Sequence, residues 1–249
     1  MADFLGVLFR RFSTGTSDSA LPPLIEGNTL VVGDANVTRS LLFLAAVTAA
    51  TDLGIRVLFF TQSPFQSLPV SLRASLPELK LESLKNVQFV YSQCLPELME
   101  DVASLHQLPS PPSLIIVDSL DQYLLGTRDG QDDLGPVAHT IALLHDTAAF
   151  LSQGQQAPCR LLVSWHGEKD VESTDQMLDI LDRFLQVRCT LEGQTGYLGQ
   201  SEHREWQVYL SFTCPAPELK GQQWNMLQHP VGTVEFRCVN IGHNETMES

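Results

Sequence analysis

The sequence predicts an α/β fold, in which a doubly wound, mostly parallel sheet gives way to a C-terminal antiparallel extension. Three observations predict it. Residues 114–117 (Leu-Ile-Ile-Val) are continuously apolar and end in Asp118, the pattern of a central parallel strand covered on both faces. Between 28 and 186, short apolar runs alternate with helical patterns, as strand–helix–strand units require. After 187 the strand patterns follow one another with no helix between them. With 249 residues, 43% hydrophobic and 18% charged, the chain can pack one sizeable core.

The elements follow in order. Phe4, Leu5, Leu8, Phe9 and Phe12 fall on one helical face beside Arg10 and Arg11, so a short amphipathic helix is expected, docking on this domain or on a partner. Asp3 and the shortness of the segment argue against a mitochondrial presequence. Residues 13–23 are Ser/Thr-rich and end in Pro22-Pro23, a tether. We therefore read 1–23 as a flexible segment carrying a short helix, 24–240 as one domain and 241–249 as a disordered tail. Strand 28–32 leads through Gly33 into helix 38–52, which lacks Gly and Pro and stops at Gly54. Strands are expected at 55–61 and 87–91, with a Ser/Pro-rich loop at 62–77 between them. Helix 95–106, strand 114–117, helix 137–151, strand 160–164 and helix 174–186 complete the parallel core. Strands 187–191, 206–212 and 231–239 form the extension.

Net charge is −14, and the first 90 residues carry as many acidic as basic groups, so the acidic excess lies beyond them. This argues against gripping phosphate backbones by bulk electrostatics. The five cysteines are scattered, with no Cys-x-x-Cys pair, and the seven histidines show no ligand spacing. No apolar run is long enough to predict a transmembrane helix. Trp206 and Trp224 read as packing residues.

The chemistry starts at Gly33-Asp34-Ala35-Asn36-Val37-Thr38-Arg39-Ser40. A strand, this octet and a helix make the frame of a phosphate-binding loop: Gly, four residues, Gly, Lys, Ser/Thr. Glycines let the backbone N–H groups face phosphate, the Lys reaches the terminal phosphates and the hydroxyl binds magnesium. Gly33 and Ser40 fit, whereas Thr38 replaces the second Gly and Arg39 replaces the Lys. The plain alternative is a strand–helix turn capped by Asp34 or Asn36. Asp118, at the end of a buried strand, is placed to hold a magnesium-bound water, so ATP and Mg²⁺ are the implied ligands.

The order and placement of these features resemble the RecA-type recombinases. Val117-Asp118-Ser119 matches that family's Walker B. Phe60-Thr61-Gln62-Ser63-Pro64-Phe65 resembles its Thr-Glu-Gly-x-Phe segment, whose Glu activates the attacking water. Leu162-Val163-Ser164-Trp165-His166 sits where the family has its last core strand and a nucleotide-sensing Gln. Residues 57–69, 113–124 and 141–149 are similar to the small recombinase paralogs of the Shu complex, which lack the N-terminal helical domain of their relatives. The resemblance spans roughly 28–170. It implies a RecA-like P-loop NTPase core and pairing with a SWIM-type zinc-finger protein. It also implies work with RecA-type recombinases and their paralogs on single-stranded DNA, in nuclear double-strand-break repair and meiosis.

The departures alter that expectation. Gln62 stands at the catalytic Glu position and cannot take a proton at neutral pH. His166 stands at the sensor position. Weak nucleotide binding and weak or absent hydrolysis are expected. The loops expected to face DNA are acidic: 126–136 sets Arg128 against Asp129, Asp132 and Asp133, and 166–175 sets Lys169 against Glu168, Asp170, Glu172 and Asp175. DNA contact is therefore expected through the complex. Phe43-x-x-Ala46 spells a recombinase interaction pattern, but Phe43 reads as core. The Phe4, Leu5, Leu8, Phe9, Phe12 stripe is the better partner-docking candidate, because the relatives polymerise through an aromatic in the tether before the core. Two rivals remain: a DNA-stimulated ATPase that itself binds single-stranded DNA, and a small-molecule P-loop kinase.

Overall fold

The computed structural model of the chain describes residues 4–13, 22, 26–65, 82–125, 134–153, 155, 157–166, 171–193, 204–213, 221–229 and 233–239. The tail 241–249, most of the tether, and the acidic runs 126–133 and 167–170 lie outside the described residues. Nine strands form one sheet: β1 (Thr29–Val32), β2 (Val57–Phe60), β3 (Val87–Val90), β4 (Leu114–Val117), β5 (Arg160–Trp165), β6 (Val187–Gly193), β7 (Arg204–Phe212), β8 (Gln222–Gln228) and β9 (Val234–Cys238). Their order is β3-β2-β4-β5-β1-β6-β7-β8-β9. Pairing is parallel from β3 to β6 and antiparallel from β6 to β9, as the sequence predicts.

Among the described residues, six α-helices accompany the sheet: α1 (Phe4–Arg11), α2 (Ala35–Asp52), α3 (Leu95–Ser104), α4 (Leu120–Leu124), α5 (Gly135–Ser152) and α6 (Val171–Phe184). Two buried clusters lie on opposite faces of the sheet. One joins α1 and α2 to the extension, and the other gathers α3, α4, α5 and α6 over the parallel strands. This is why β2 and β4 are buried at every position and show no alternation.

The structure differs from expectation at several elements, among them the short helix α4, where the sequence predicts none. Helix α2 begins at Ala35, three residues early, because Asp34 caps it. Helix α5 begins at Gly135, with Pro136 in the first turn, where its missing N–H costs nothing. A fourth extension strand, β8, was absent from the sequence reading. Its Gln/Asn-rich composition is a poor strand signal, and only Trp224 and Met226 alternate into the core.

The N-terminal stripe is a core element, which corrects the expectation that it docks on a partner. Leu5, Leu8 and Phe9 are buried, and Phe4 and Phe12 pack at the margin of the same cluster. The Phe9 ring stacks on Phe236 at 4.5 Å and lies 5.3 Å from Trp224. The Phe236 N–H donates to the Phe12 carbonyl at 2.9 Å, so the chain leaving α1 covers the β9 edge. The Arg11 guanidinium bonds Thr51 and Asp52 at the end of α2. The Phe9→Ala variant should lose about 3–5 kcal/mol of stability in urea unfolding. A freely exposed stripe would lose almost nothing.

Candidate nucleotide site

The carboxyl ends of four parallel strands converge here. β1 delivers Gly33, β2 delivers Thr61, β4 delivers Asp118 and β5 delivers His166. Ligands bind at such strand ends in open α/β sheets.

The residues expected to wrap a phosphate are helical instead. The Asp34 carboxylate accepts from the Asn36 N–H at 2.9 Å and the Val37 N–H at 3.4 Å. Its carbonyl accepts the Thr38 N–H at 2.9 Å. The N–H groups of Asn36, Val37 and Thr38 at the helix start are thus satisfied from within the chain. Gly33 has a packing reason. A Cβ there would come within 3.0 Å of the Leu191 Cβ and 3.1 Å of the Leu191 carbonyl oxygen on β6. Ser40, expected to bind magnesium, donates to the Asn36 carbonyl at 2.8 Å.

Thr38 is fully buried and its hydroxyl lies 3.0 Å from the Asp34 carbonyl and 3.2 Å from the Ala35 carbonyl. It also contacts His166 Nε2 closely. On the far side of the imidazole, Nδ1 lies 3.3 Å from Asp121 Oδ1, an ion-pair distance at an angle unfavourable for a hydrogen bond. The same carboxylate oxygen accepts the His166 backbone N–H at 3.0 Å. A proton on Nδ1 is favoured by that carboxylate and leaves Nε2 to accept from Thr38. Burial works against the Asp121 carboxylate, but the contacts with His166 outweigh it and hold the pKa below the ordinary 3.8. The sensor position is therefore tied to the helix that replaces the loop.

Asp118 is buried, with 2% of its surface exposed, and its carboxylate is fully engaged. Oδ2 meets the Thr61 hydroxyl at 3.1 Å and Arg39 Nε at 3.4 Å. Oδ1 meets the hydroxyls of Ser119 at 3.1 Å and Ser164 at 3.5 Å. Each oxygen thus meets hydroxyls of the same chain, and the Arg39 charge lies beside Oδ2 at an ion-pair distance. Ser119 adopts a left-handed φ of 60°, and its N–H donates to Ser164 Oγ at 2.8 Å. Arg39 is held from several sides. It donates to Ser63 Oγ at 2.8 Å and to the Ser63 carbonyl, and its guanidinium lies 4.4 Å over the Phe65 ring. Phe65 in turn packs against Phe43, Phe59 and Phe89. Phe43 is thus core, as read from the sequence.

Gln62 stands apart from this cluster. It exchanges hydrogen bonds with Gln93, side-chain amide to backbone carbonyl in both directions, at 3.2 and 3.0 Å. The structure therefore brings Thr38, Arg39, Asp118 and His166 together, and spends Ala35, Asn36, Val37 and Ser40 on the helix. Sequence reading missed Asp121 and the clamping roles of Ser63 and Ser164. The repeat of Asp three residues after Asp118, and the polar Ser164 near the end of apolar strand β5, were the available signals. No group of three or more His, Cys, Asp or Glu among the described residues could hold a metal. The Tyr123 hydroxyl is buried without a partner, and burial, with Asp118, Asp101 and Glu97 nearby, pushes its pKa up. It stays a neutral phenol.

This fold and strand-end site define a RecA-like protein. The crystal structure of the RadB recombinase superposes with a TM-score of 0.58 and 14% identity, over 84% of this chain and 90% of that one. The mouse ATPase SWSAP1 is 34% identical over 226 residues, 84% of this chain and 76% of the relative. The human ATPase SWSAP1 is 33% identical over 189 residues, 74% of this chain and 77% of the relative. No protein-family model matches. The chain belongs to the ATPase SWSAP1 family.

The Asp121–His166 contact gives a pH signature. A depressed folded pKa adds stability above the unfolded value and loses it as pH falls through the folded one. Asp121→Asn should cost about 1–3 kcal/mol in urea unfolding at neutral pH. The difference from wild type should shrink below pH 3.8.

Proposed function

We propose that this chain is an accessory subunit of homologous recombination that acts by binding proteins and binds nucleotide weakly, with little or no hydrolysis. It pairs with a SWIM-type zinc-finger protein and stabilises recombinase filaments on single-stranded DNA. It does so in the nucleus, in double-strand-break repair and meiosis. One observation carries the reading: Asp118 above all, and with it the Ser40 hydroxyl and the Asn36 and Val37 amides, already have partners from the same chain. The recombination setting is supported by membership of the SWSAP1 family and by the RecA-like fold. The net charge of −14 supports DNA contact through the complex rather than by this chain alone.

The word ATPase in the relatives' name supports a second reading, a DNA-stimulated ATPase. It requires Arg39 to leave Asp118. The two readings separate in one experiment, a fluorescent-ATP titration with magnesium beside a pull-down of the zinc-finger partner, for wild type and Arg39→Ala. The accessory reading expects a Kd no tighter than about 1 mM and a complex that survives the substitution. Micromolar binding lost in Arg39→Ala, together with loss of the complex, would replace it with nucleotide-gated assembly.

A further inference from the structure

We propose that the site is latched shut in cis rather than worn away: Arg39 occupies Asp118 as a cation would, and releasing it restores triphosphate binding. The inference deepens the reading above and concerns the same site. Three features carry it. First, the Asp118 carboxylate keeps its charge partner on the chain itself, with Arg39 Nε at 3.4 Å and three hydroxyls completing the shell. A buried carboxylate needs such compensation, so a magnesium ion would have to displace an arginine already in place.

Second, Arg39 is clamped away from the mouth of the site. Ser63 holds two of its nitrogens and Phe65 lies under its guanidinium plane at 4.4 Å. Its side chain is nonetheless 28% exposed, so it sits at the rim, with water on one side, and can swing out without unpacking the core. Third, the Asp34 carboxylate covers the N–H groups of Asn36 and Val37. That cap is an exposed contact, and a polyanion bearing several charges can compete with one carboxylate for the same donors. The Arg39–Asp118 pair, whose carboxylate is buried, is therefore the stronger closure and the one that controls access.

The consequence is opposite in sign to that of a working magnesium site. Where a strand-end aspartate holds a magnesium-bound water, Asp→Asn weakens nucleotide binding. Here Asp118→Asn removes the charge that detains Arg39 and frees the guanidinium for a triphosphate. Titration of the full chain with fluorescent ATP, with magnesium and again with EDTA, tests this. Asp118→Asn should bind at least ten-fold tighter than wild type, and the increase should persist in EDTA. Unchanged or weaker binding by a variant whose thermal midpoint shows it folded would overturn the latch. Arg39→Lys, at the rim, provides an independent measure. A lysine cannot make the forked contacts with Ser63, so it should also tighten ATP binding several-fold, and no change would overturn the latch. The zinc-finger pull-down on the same variants keeps the two readings apart, since failure of the latch with the complex intact leaves the accessory-subunit reading standing.

Discussion

Asp118 is a carboxylate buried at the end of a central strand, and a carboxylate there cannot be left without a partner. In this chain the partner is Arg39, and the rest of the site arranges itself around that pair. Arg39 reaches Asp118 because helix α2 starts early and carries it along the strand ends. The segment after β2 completes the clamp, with Thr61 on the carboxylate, Ser63 on the guanidinium and Phe65 beneath it. The pair joins α2, β2 and β4, so the fold and the closure of the site have the same cause. A second polar chain, Asp121–His166–Thr38, ties the end of β5 to the same helix. Among the described residues, 35–40 are helical rather than a loop that wraps a ligand.

The antiparallel extension serves the opposite flank. Its inner face, Trp206, Val208, Leu210, Trp224, Met226 and Phe236, needs cover, and α1 with α2 supplies it. The aromatic stripe of α1 thus substitutes for surface that would otherwise be exposed on strands β8 and β9. The Phe12 carbonyl on the Phe236 N–H closes part of the β9 edge.

Much of this was legible in the sequence. The continuous apolar runs of β2, β4 and β5 and their spacing predicted a doubly wound core, because burial on both faces leaves no room for polar alternation. The switch to an antiparallel tail was legible from strand patterns without intervening helices. The octet 33–40 was legible as a strand-to-helix connection, and Asp34 was one of two residues named as its plain cap. What the sequence could not settle was which outcome would prevail, since a phosphate loop and a capped turn differ by a few backbone torsions. Thr38 tipped the balance: a β-branched residue is comfortable in a helical turn and resists the positive φ of a wrapped loop. The Arg39–Asp118 pairing was not legible, because it depends on a side chain crossing from one strand end to another. Strand β8 was hidden by its glutamines.

At the strand ends the Asp118 carboxylate and the Asn36 and Val37 amides are satisfied by side chains of the same chain. Hydrogen exchange across residues 33–41, with and without millimolar magnesium–ATP, tests that claim most directly. The capped turn predicts protection of the buried Thr38 amide without ligand, and no change at Asn36, Val37 or Thr38 on adding it. Weak protection that rises with ATP would contradict it, and would mean that these residues form a phosphate-binding loop in solution.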